Sequence, residues 1–155
     1  MGIVMFYHLT RSGVEETLAA LLDRARGQGW RVMIRGTDRA ALERIDLSLW
    51  SEPPESFLPH GMEGGPHDAD QPVLLGTGAI ANAAQGLFLI GGADVSLAEA
   101  QALERVWLLF DGGDPDALQA ARGKWKALTG AGIPAQYWSE ETGRWQKKAE
   151  SPAAG

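Results

Sequence analysis

The stretch "VMFYHLTRSGVEETLAALLDRARGQGWRVMIR", Val4 to Arg35, decides the fold. Val4 to Leu9 is an apolar run of the right length for a short buried strand. Val14, Leu18, Leu21, Leu22 and Ala25 then recur at the spacing of one helical face. Ser12 with Glu15 three residues later has the form of a capping box, and Gly27 or Gly29 supplies the stop. Trp30 to Arg35 reads as a second strand. Strand, helix and strand in succession make a β-α-β unit, whose strands run parallel with the helix across one face.

The same alternation continues outward. "TDRAALERIDLSLW" predicts a helix with Thr37 as N-cap and Leu42, Ile45 and Leu49 as its apolar stripe. Residues 50–72 interrupt the rhythm with prolines at 53, 54, 59, 66 and 72, and predict a long surface loop. Val73 to Gly76 and Leu87 to Ile90 read as further strands, and Ser96 with Glu99 caps a short helix. Val106 to Phe110 is a fifth strand, and Asp114 with Pro115 opens a helix to about Gly130. "IPAQYW" is a sixth strand, and "SEETGRWQ" turns into a short last strand at the edge. The order predicts the α/β class. Residues 1–148 are expected to form a single domain, with a mostly parallel or mixed sheet of six to seven strands and helices on both faces. Residues 149–155 are small and polar and read as a flexible tail.

The chain has 155 residues, 45% of them hydrophobic, enough for one domain with a real core. It has no cysteine, which excludes disulfides, thiolate metal sites and Cys nucleophiles. No run approaches a membrane span and no signal peptide is visible, so the expected location is cytoplasmic. The net charge of −6 argues against tight DNA binding. The charge is uneven: residues 1–117 carry 8 arginines against 17 carboxylates, whereas residues 118–148 carry 6 cations against 2 carboxylates. A basic segment in an acidic chain suits an acidic partner, although a solvated face reads the same way.

The search for chemistry finds no catalytic set, no metal site and no cofactor motif. "GTGAIANAAQG", Gly76 to Gly86, follows a strand but lacks the Lys of a P-loop and has Ala81 where a dinucleotide loop has its third glycine. A nucleotide-binding enzyme built on Gly76–Gly86 and Asp111 is the alternative reading. Asp111 and Asp114 have a simpler role in shaping a turn and capping a helix. His8, His60 and His67 have no metal-ligand spacing.

What remains is "LWSEPPESFLPH", Leu49 to His60, which places Trp50 and Phe57 among three prolines. Exposed aromatics in a stiffened loop suit a protein interface, and a lid folded back on the core is the competing reading. This string resembles the signature of the chi subunit of bacterial DNA polymerase III holoenzyme. The opening "FY.L", the "G.RV.I" second strand and the helix "ARGKWKAL..AG" carry the resemblance over about residues 1–138.

The resemblance implies a non-catalytic accessory subunit of the clamp-loader assembly in DNA replication, with a Rossmann-like fold. It implies two docking surfaces. The loop, through Trp50, Pro53, Phe57, Pro59 and His60, would receive a psi-type subunit or an iron–sulfur helicase. The last long helix, through Arg122 and Trp125, would receive the acidic C-terminal tail of single-stranded DNA-binding protein, with Lys124 and Lys126 as added cations. A lysine of the family pattern falls on Leu118 here. Arg122 and Trp125 are three residues apart on one helical face, so a guanidinium and an indole can meet a terminal carboxylate and an aromatic ring together.

Overall fold

The computed structural model describes residues 2–50 and 60–152. In chain order the elements are β1 (Ile3–Leu9), α1 (Val14–Gly27), β2 (Val32–Arg35), α2 (Arg39–Trp50) and β3 (Gly61–Met62). They continue as β4 (Val73–Gly76), β5 (Gly86–Leu89), α3 (Leu97–Ala102), β6 (Arg105–Asp111), α4 (Pro115–Gly130), β7 (Ala135–Ser139) and β8 (Gln146–Ser151). The strands form one sheet in the order β3-β4-β2-β5-β6-β1-β7-β8. Among the described residues, β1 to β7 pair in parallel and only β8 runs antiparallel, along β7.

The expected α/β architecture is present, with one strand more than the sequence suggested. The additional strand is β3, two residues inside the segment read as loop, which lies alongside Leu74 and Leu75. Two residues carry no readable period. The last strand also runs further than expected, to Ser151, which pairs with Ala135.

Alternation along β1 sorts its side chains to two cores. Tyr7 and Leu9 join Leu18, Leu21 and Leu22 of α1, Leu42, Ile45 and Leu49 of α2, and Phe88 and Trp107 from the sheet. Val4 and Phe6 join Met33, Leu87 and Leu108, covered by Ala100 of α3 and by Ala121 and Leu128 of α4. Helices α1 and α2 thus cover one face, and α3 and α4 the other. Each fully buried Leu or Phe contributes about 1.5–3 kcal/mol. Every residue of β2, β4 and β5 is buried, as central parallel strands require. Trp107 lies flat on Phe88, ring centroids 4.1 Å apart, and its far edge sits over Gly86. A Cβ on Gly86 would come within 2.5 Å of Trp107 Cζ3, so the indole needs glycine there.

Two helix starts differ from expectation. The N-cap of α1 is Gly13, with no side-chain cap bond, because the Ser12 hydroxyl is engaged by Glu140 instead. Helix α2 begins at Arg39, so Asp38 rather than Thr37 meets its free amides, accepting from Ala40 N at 3.0 Å. The Thr37 hydroxyl donates to the Gly91 carbonyl at 2.6 Å. The two remaining caps form as expected. Ser96 and Glu99 make a capping box on α3, and Asp114 caps α4 ahead of Pro115. Among the described residues, no helix is long and apolar enough to cross a membrane.

Candidate functional site

Helix α4 presents Gln119, Arg122, Trp125 and Lys126 along one edge of a groove of roughly 460 Å³. Tyr137 of β7 and Ala149 of β8 form the opposite side. The two come together because Tyr137 pairs with Ala149 across the β7–β8 ladder. Arg122 and Lys126 are exposed, while Trp125 and Tyr137 are half-buried. The groove therefore has cations at its rim and aromatic rings in its wall.

The wall is fixed from below. Trp125 packs edge-on against Phe6 at 5.3 Å and against Tyr137 at 6.1 Å. Phe6 and Tyr137 are nearly parallel at 6.3 Å. The Tyr137 hydroxyl pairs with His8 Nδ1 at 2.8 Å. Rings held on several sides lose little freedom when a ligand arrives. Burial pushes the Tyr137 hydroxyl above its ordinary pKa, with the nearby Arg122 charge opposing the shift. The phenol thus stays neutral at ordinary pH, and Arg122 and Lys126 set the sign of the rim.

Lys124, expected among the cations of this site, does not line the groove. Its ammonium donates to the carbonyls of Gly92 and Ala93 at 3.2 and 3.1 Å and lies 3.4 Å from the Asp94 carboxylate. Adjacent helix residues point about 100° apart, so Lys124 and Trp125 face different neighbours. Lys126 is the lysine that reaches the groove. Leu118, at the position of the family lysine, packs against the α4-side core. Tyr137 and Ala149 were not anticipated as groove residues. The signal was available for Tyr137: two residues beyond the buried Ala135, strand alternation places it on the same face.

Of the loop residues, Pro53, Phe57 and Pro59 lie outside the described residues, as does the side chain of Trp50, the last residue of α2. His60 is described and is buried, 4% exposed, rather than displayed for docking. Its Nε2 donates to the Asp46 carbonyl at 3.1 Å and lies 3.2 Å from the Asp46 carboxylate. It ties the end of the loop to α2.

The backbone amides that a nucleotide phosphate would use are occupied by the chain's own carboxylates. Glu63 accepts from the amides of Thr77 and Gly78 at 2.9 and 3.2 Å, at the start of the glycine-rich loop. Glu140 accepts from the amides of Thr10, Arg11 and Ser12 at 3.0, 2.8 and 2.7 Å, in the turn between β1 and α1. Arg35, beside the first of these, is spent on Gly78 O, Asp94 O and both oxygens of Glu99. An incoming phosphate would meet a carboxylate at either turn. Asp111 accepts from Gly113 N at 2.8 Å and shapes the turn, as expected. Among the described residues, no group of three potential metal ligands comes together.

A family model described as DNA polymerase III chi subunit, HolC, matches residues 1–136. No curated protein sequence matches the chain. The matched region includes all of α4 and stops one residue short of Tyr137.

Proposed function

From the chain's membership of the DNA polymerase III chi subunit family, we propose that it links the clamp-loader part of the polymerase to single-stranded DNA-binding protein. On this reading it has no catalytic role of its own, and the α4 groove takes the acidic C-terminal tail of that protein. The observation that carries the reading is the placement of Arg122 and Lys126 beside the rings of Trp125 and Tyr137 in one groove. A tail ending in an aromatic residue offers a ring for the indole wall and a terminal carboxylate for the guanidinium. Its upstream acidic residues meet Lys126 and speed encounter.

The second surface is the loop through Trp50, Pro53, Phe57 and Pro59, with His60 as its buried anchor. Its partner is another subunit of the replicase, psi-type, or an iron–sulfur helicase. The rival reading, a nucleotide-binding enzyme on Gly76–Gly86, is disfavoured by the Glu63 carboxylate on the Thr77 and Gly78 amides.

Calorimetric titration with an acidic peptide ending in Pro-Phe tests the groove. Saturable binding is expected, and Arg122→Ala lowers its affinity by about 1.5–3 kcal/mol, the usual effect of losing a charge-assisted hydrogen bond. Absence of binding, or an unchanged affinity in Arg122→Ala, rejects the tail groove.

A further inference from the structure

The opposite face of the sheet carries a second cleft, of roughly 350 Å³, between α1 and the β7–β8 hairpin. Tyr7, Trp138 and Trp145 give it aromatic walls, and Glu16, Thr17 and Arg24 of α1 line its other side. Trp145 stands edge-on to Tyr7, with centroids 5.2 Å apart, and is 36% exposed. Both tryptophans lie beyond the region matched by the family model.

Three polar groups of this cleft make no hydrogen bond to the described residues and are open to a ligand. Tyr7 and Thr17 are each 8% exposed, and their hydroxyls have no hydrogen-bond partner among the described residues. Arg24 makes no hydrogen bond or ion pair with the described residues. The two hydroxyl oxygens still reach solvent in the cleft, where water can be replaced by a ligand's acceptors. Such groups fit a ligand that supplies the missing acceptors.

We propose that this cleft docks an extended segment of a partner protein, one that sets an aromatic side chain among Tyr7, Trp138 and Trp145 and a carboxylate on Arg24. The shape favours a peptide over a compact small molecule. The lining residues of α1 run from Glu16 to Arg24, about 12 Å along the helix axis at 1.5 Å per residue. That length matches about four residues of extended chain. Charge sets the direction. Glu16 repels a carboxylate at the near end, and Arg24 attracts one at the far end. The Tyr7 and Thr17 hydroxyls then donate to backbone carbonyls of the segment.

The cleft is separate from the α4 groove, because α1 and α4 cover opposite faces of the sheet. The test uses full-length, nitrogen-15-labelled protein and a capped pentapeptide with a central tryptophan and an aspartate two residues later. The indole N–H resonances of Trp138 and Trp145 should shift saturably. Arg24→Gln should weaken binding about tenfold, and so should replacing the peptide's aspartate by asparagine. Tyr7→Phe keeps the ring and removes only the hydroxyl; it should weaken binding with the Trp145 resonance still in its native position. Arg122→Ala should leave this binding unchanged while weakening capture of the Pro-Phe peptide. No saturable shift in the wild type, equal affinity in Arg24→Gln, or loss on Arg122→Ala would each overturn the proposal.

Discussion

Glu140 holds Ser12 twice, accepting from its backbone amide at 2.7 Å and from its hydroxyl at 2.8 Å. The contact joins residues 128 positions apart and locks the β7–β8 hairpin to the start of α1. Burial alone would raise the Glu140 carboxyl, but the amides of Ser12, Arg11 and Thr10 and the Ser12 hydroxyl hold it below its ordinary range. Glu140→Gln should lower stability by about 2 kcal/mol, since bonds to a charged acceptor are the strong ones. Urea denaturation measures this as a lower midpoint with an unchanged slope.

Acid should weaken the fold through Glu99. Its hydrogen bonds with Arg35, at 2.7 and 3.0 Å, bring its pKa from 4.5 to about 2. Between those values the unfolded chain takes up a proton that the folded chain refuses. Stability contributed by the pair is therefore complete above about pH 4.5 and is lost as pH falls toward 2. The Glu99 side chain is 28% exposed, so solvent screening limits the loss to about 1–2 kcal/mol. Glu99→Gln should flatten the stability profile across that window, measured by denaturation at a series of pH values.

The two neighbouring lysines of α4 should behave differently. Lys126→Ala should reduce affinity for the acidic peptide by about 0.5–1 kcal/mol and make binding less sensitive to salt, because Lys126 is an exposed rim charge. Lys124→Ala should leave the affinity unchanged, since its ammonium is held by Gly92, Ala93 and Asp94. Titrations at two salt concentrations separate them.

Gly86→Ala should destabilise the protein by about 1–3 kcal/mol, the usual cost of overpacking a core. The added methyl meets the edge of Trp107, which is itself clamped against Phe88 and cannot retreat. Thermal unfolding should show the drop, and the tryptophan near-UV signal should change with it.

The β-α-β opening was legible because its periods are strong and local. The caps at Ser96 and Asp114 were legible because each cap and its target lie within one turn. Ser12 misled for the opposite reason: a carboxylate on the far side of the sequence outcompeted the local amide. Thr37 misled by one position, within the usual uncertainty of a helix end. The strand β3 is too short to show a period. Arg122 and Trp125 share a groove as the helical spacing indicated, but its far side comes from Tyr137 and Ala149, and only the sheet brings those two to α4. Lys124 shows that a charge run in sequence need not be a charge patch in space.

Strand β1 lies between β6 and β7, both of which follow it far along the sequence. During translation at 5–20 residues per second, it waits on the order of ten seconds for its second neighbour. Both grooves include residues of the β7–β8 hairpin, so neither forms before that hairpin has emerged from the ribosome. A chain truncated before β7 would have neither groove to offer.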